Sequence, residues 1–115
     1  MLNLLRFRAH TDYSLFPDLA PPAQVSGAAA YEAYMRHTAP FLERAGGEIL
    51  FYGDDGPFFI GPDDERWDKA MLIRQSSLEA ILGFATHEAY LAGLGHRTAA
   101  LEDSRLLPLV EMPTP

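Results

Sequence analysis

Over residues 2–10, LNLLRFRAH, polar and apolar side chains alternate with a period of two. Asn3, Leu5, Phe7 and Ala9 share one face, and Leu2, Leu4, Arg6, Arg8 and His10 the other. That period predicts a strand. The stretch that follows, TDYSLFPDLAPPAQVSG, carries Pro17, Pro21 and Pro22, which exclude a regular helix or a central strand. Residues 14–25 are therefore a proline-rich loop insertion, long enough to act as a lid. Ser26 is a suitable N-cap for a helix over about 27–45. In that helix Tyr31, Tyr34, Met35, Thr38, Phe41, Leu42 and Ala45 fall on one side, and Glu32, Arg36 and Glu43 opposite. Pro40 lies on the outer side, where a kink is expected, and Gly46-Gly47 ends the helix.

EILFYGDDG predicts a second strand closed by an Asp-Gly turn, and PFFIGPDDERWD an excursion before a third strand over about 67–75. Ser76 to Glu79 form a capping-box pattern that starts a second helix. This helix is interrupted near Thr86-His87, runs on to Gly93 and Gly95, and gains further turns in HRTAALEDS. RLLPLVEM, about 105–112, is the last strand, with Pro108 arguing for a sheet edge. Residues 113–115 form a flexible tail.

The order β-α-β-β-α-β is the ferredoxin-like plan: an α+β fold in which a four-stranded antiparallel sheet carries helices on one face. The cleaner apolar sets (Leu5/Phe7, Ile49/Phe51, Met71/Ile73, Leu106/Val110) are assigned beneath the helices. The mixed sets then share the helix-free face, with Arg6, Arg74 and Arg105 among Leu2, Leu4, Leu72, Leu107 and Leu109. An apolar patch of that extent is rarely left open in a monomer. A homodimer through the helix-free sheet face follows, with Arg6 and Arg74 pairing with Glu48 and Glu111 inside it. The alternative is that at least one of these arginines faces a ligand; the structural reading is an ion-pair network, favourable where geometry offsets desolvation.

A chain of 115 residues makes a single domain over 1–115. Nine basic residues against 16 acidic ones leave a net charge of −7, which argues against nucleic-acid partners. The chain has no cysteine, which excludes disulfides, thiolate nucleophiles and cysteine zinc sites. No apolar run approaches the ~20 residues of a membrane span. Arg6 and Arg8 interrupt the stretch a signal peptide would need. A soluble cytoplasmic protein without membrane partner is expected.

Four histidines are candidates for chemistry: His10, His37, His87 and His96, none at metal-ligand spacing. His37, at the border of its helix's core face, reads as a half-buried satisfied imidazole, and His87 as part of a helix start. GLGHR sets His96 beside Arg97 after two glycines. His96 is the candidate catalytic acid or base, and Arg97 the candidate carboxylate ligand. Its structural alternative is capping of helix carbonyls. Asn3, on the helix side with Leu5 and Phe7, requires partners if buried, and Tyr34 can reach the same space. Neither a phosphate loop nor a serine elbow is present. No metal and no cofactor are implied.

LNLLRFR with DYS, SGAAAYEAYMRH, the Gly-Gly before the second strand, WDKAMLIRQSSLEAILGF and THEAYLAGLGHRTAALEDSRLLPLVE together resemble a bacterial family of small dimeric α/β-barrel proteins of unknown function, within the ferredoxin-like superfamily. The superfamily includes cofactor-independent monooxygenases and muconolactone-isomerase-like enzymes. The resemblance implies the same fold, a dimer, and a cavity between sheet and helices in each subunit, but no reaction. Gln75 stands where an aromatic residue is more usual. The function expected is binding of a small aromatic or carboxylated metabolite, with Asn3, Arg6, Tyr34, Arg74 and Arg97 as ligand-binding candidates. Cofactor-independent catalysis at His96 is one form of it; a non-catalytic binding or structural dimer is the other.

Overall fold

A computed structural model describes residues 1–115. Strand β1 (Leu2–Phe7) is followed by a 3-10 turn at Pro17–Leu19 and by helix α1 (Gly27–Arg44). Strands β2 (Glu48–Asp54) and β3 (Lys69–Arg74) come next, then helices α2 (Leu78–Ala85), α3 (Glu88–Leu91) and α4 (Leu94–Ala100), and finally β4 (Leu101–Leu107). All pairings are antiparallel, in the order β2-β3-β1-β4. This is an α+β architecture compatible with the ferredoxin-like plan.

The α1 start follows its sequence signal: Ser26 Oγ accepts the Ala29 amide at 3.2 Å. At its far end Gly46 takes a φ of 79°, the left-handed conformation that glycine adopts cheaply. The second cap lies one residue beyond the expected box. Ser77 accepts from Ala80, whereas the Ser76 hydroxyl donates to the Ala45 carbonyl at 2.6 Å and ties α2's start to α1's end. The core lies between sheet and helices, where Leu5, Tyr31 and Met71 are buried with Ala30, Ala100 and Leu101. Each large apolar side chain so enclosed contributes roughly 1.5–3 kcal/mol.

Face assignments hold for β1 and β3. Asn3, Leu5 and Phe7 face the helices, as do Met71 and Ile73. Strand β2 corrects the expected alternation. A bulge at Leu50 shifts the register between Ile49, opposite Ile73, and Phe51, opposite Leu72. The extra residue turns Phe51 onto the helix-free face and Tyr52 onto the core face.

Strand β4 corrects the expected boundaries. It begins at Leu101, directly after α4, and ends at Leu107, so Pro108 and Glu111 lie beyond it. Its edge position agrees with expectation. The expected second helix is three short ones, and α4 rather than α2 packs beside α1, through the buried Ala99 and Ala100. Helix α2 has no buried residue.

Candidate functional site

A cavity of about 340 Å³ lies between the sheet and the helices, walled by β1, β3, α1 and α4 and bordered by α2. Fifteen of its 19 lining residues are hydrophobic, among them Met35, Leu42, Ile73 and Phe84. That size and lining suit a small ligand. The polar groups are few and specific. Asn3 projects from β1 and is 6% exposed, and its Nδ2 is buried without a hydrogen-bond partner. Thr38 Oγ1 and Gln75 Oε1 are likewise buried and unpartnered. Buried polar atoms left unpaired are uncommon and costly, and all three belong to cavity-lining residues.

Tyr34 and Tyr90 meet at the cavity wall, their hydroxyls 2.8 Å apart, with Phe84 edge-on to Tyr90. Burial, then the bond to Tyr34, pushes the Tyr90 phenol well above its ordinary pKa, and burial does the same to Tyr31. These phenols stay protonated at neutral pH and serve as hydrogen-bond groups rather than bases. Arg97 reaches the cavity from α4, and its Nη2 donates to Ser104 Oγ at 3.4 Å.

The structure therefore brings Asn3, Tyr34 and Arg97 together and leaves three other candidates outside. His96 does not line the cavity: it shares a 2.8 Å hydrogen bond, through Nδ1, with the Tyr13 hydroxyl, whose ring stands edge-on to the imidazole. Successive helical residues point about 100° apart, which separates His96 from Arg97. Burial, then the nearby His37, lowers the His96 pKa below its ordinary 6.5. The loop after β1 lies on that same outer side, with Phe16 and Leu19 set against Gly95.

Arg6 and Arg74 lie on the helix-free face, each paired within the chain. Arg74 meets Glu48 at 2.7 Å, as expected for that pair. Arg6 pairs instead with Asp103 at 3.4 Å and Glu102 at 3.7 Å, and Glu111 takes no place in the sheet. Arg6 and Arg105 also stack on Trp67, at 5.4 and 5.1 Å from its ring centroid. Trp67 is buried, so part of this face is covered from within the chain. A second hollow, of about 510 Å³, lies between Leu4, Trp67 and the β2–β3 segment, with Asp55, Asp63, Glu65 and Asp68 in its wall.

Two further histidines serve the fold, while His10 is exposed at the end of the first strand's sequence stretch. His37 Nε2 donates to the Ala89 carbonyl at 2.7 Å, and His87 Nδ1 accepts the Ala89 amide at 3.2 Å as the cap of α3. No three His, Asp or Glu side chains group as metal ligands. The sequence offered no sign of Tyr90, because the phase of α3 depends on where the broken helix restarts. Thr38 was legible only as a core-side position of α1.

A four-stranded antiparallel sheet, roofed by helices over an apolar cavity with a few unpaired polar atoms, defines an α+β protein with a cavity between its two layers. The chain belongs to the family of RPA0582, a protein of unknown function from Rhodopseudomonas palustris. The crystal structure of methylated RPA0582 superposes with a TM-score of 0.86 at 37% identity, covering 97% of this chain and 78% of that one. A second RPA0582 crystal structure, a structural genomics target, gives 0.79 at 36% identity, covering 96% and 81%. No protein-family model and no curated protein matches the chain.

Proposed function

We propose that this protein binds a small, largely apolar metabolite in the cavity between its sheet and helices. The observation that carries the reading is Asn3: a buried amide whose Nδ2 has no partner within the chain, in the wall of a largely apolar cavity. A donor of that kind contributes most when a ligand supplies the acceptor. The arrangement favours binding over proton-transfer catalysis, because no histidine is among the cavity's lining residues and His96 faces the Tyr13 side. Thermal-shift measurement with a panel of aromatic and aliphatic metabolites tests this, since a ligand of the native state raises its melting temperature. Ala85→Trp, which fills the cavity from the thinly packed α2, is expected to abolish the shift of any hit. A hit whose shift survives Ala85→Trp binds elsewhere and defeats the reading.

The same proposal includes a homodimer through the helix-free face. Phe51 and Leu107 are more than half exposed there, beside Leu2, Leu4 and Leu72. The ion-paired charges of that face match, Arg6, Arg66, Arg74 and Arg105 with Glu48, Asp68, Glu102 and Asp103, while Asp55, Asp63 and Glu65 stand in the hollow beside Leu4 and Trp67. Exposed apolar side chains among charges already paired within the chain suit a face that meets its own copy.

A further inference from the structure

The arginines of this chain divide by partner. Arg6, Arg36, Arg66, Arg74 and Arg105 each lie within 4.0 Å of a carboxylate. Arg44 is exposed and stacks on Phe41, and Arg8, also without a carboxylate partner, lies outside the cavity with its Nε unpartnered. Arg97 is the one arginine that lines the apolar cavity; it has no carboxylate within ion-pair distance, and no Asp or Glu stands among the lining residues. Its hydrogen bond is a long one to a neutral hydroxyl, Ser104 Oγ at 3.4 Å. A partly buried guanidinium beside apolar walls is stabilised by an anion, and this chain supplies none.

We infer that the cavity's ligand is an apolar monocarboxylate, its charge held by Arg97 and a further acceptor met by the Asn3 amide. The inference rests on the cavity being the ligand site proposed above and adds the chemical class of the ligand. A planar guanidinium offers two parallel donors to a carboxylate, which fits one negative charge. A phosphate ester brings a second charge and a third acceptor oxygen, for which the wall holds no second basic side chain. Fifteen hydrophobic lining residues specify the rest of the molecule, an aromatic or aliphatic body small enough for about 340 Å³.

Calorimetric titration of the full chain with octanoate and benzoate, against octanol and benzyl alcohol, tests the inference. The carboxylates are expected to bind at least about tenfold more tightly than the alcohols of the same body. Arg97→Met is expected to erase that preference, and Arg97→Lys to keep part of it. Asn3→Leu, read on the carboxylates alone, is expected to weaken them severalfold and keeps the test independent of whether Arg97→Met folds. Equal affinity for acids and alcohols in the parent, or a preference that survives Arg97→Met, overturns the carboxylate inference and leaves the cavity reading standing. Failure of all four probes to bind overturns the cavity reading and this inference with it.

Discussion

The hydroxyls of Tyr34 and Tyr90 lie 2.8 Å apart and join α1 to α3 at the wall of the cavity. The Tyr90 ring is held by edge contacts with Phe84 and Phe41, so the hydrogen bond closes a cluster that is otherwise apolar. Tyr90→Phe is expected to cost about 1 kcal/mol, and Tyr34→Phe a similar amount, by chemical denaturation. The double variant should cost less than the two singles together, because the shared bond is lost only once. Strict additivity would show that the two hydroxyls do not stabilise each other.

A pH dependence follows from His96. Its pKa in the folded chain is lowered from 6.5, by burial and then by His37, so the unfolded chain binds the proton more readily. Stability from the neutral imidazole is thus complete above about pH 6.5 and declines as the pH falls below it. The melting temperature of His96→Gln should fall less than the parent's between neutral pH and about pH 5. Parallel curves for the two proteins would remove His96 as the source.

Gly27 sits where three stretches of backbone converge. A Cβ there would lie 2.5 Å from the Ala100 carbonyl oxygen and against the Arg8 carbonyl, whose oxygen accepts the Gly27 amide at 2.9 Å. Backbone cannot rotate away as a side chain can. Gly27→Ala is expected to cost about 1–3 kcal/mol in a denaturant titration. A neutral result would mean that α1 can slide from β1 and α4 without loss.

The bulge in β2 makes a prediction about assembly. It sets Phe51 on the helix-free face, 58% exposed, and Tyr52 beneath the helices. Under the proposed pairing of sheets, Phe51→Asp should shift the protein from twice the chain mass towards the chain mass in sedimentation at micromolar concentration. Its melting curve at high dilution should change little. A parent that sediments as a monomer, or a variant that pairs as tightly as the parent, rejects the interface.

Leu5 and Phe7 on β1, Met71 and Ile73 on β3, and the Ser26 cap of α1 were legible from the chain alone. A strand with one buried face repeats every two residues, and a cap is a local hydrogen bond, so neither depends on distant residues. The cavity's content was partly legible as well: Asn3 follows from its phase with Leu5, and Tyr34 from its phase with Tyr31. Tertiary structure alone decided the rest. An inserted residue at Leu50 leaves no mark in an alternating pattern, yet it exchanges the faces of Phe51 and Tyr52. The division of residues 78–100 into three helices placed α4 beside α1, turning Arg97 inward and His96 towards Tyr13. The partners of Arg6, and the Trp67 ring beneath Arg105, also come from remote positions, because a guanidinium's destination depends on which segments the fold brings beside it.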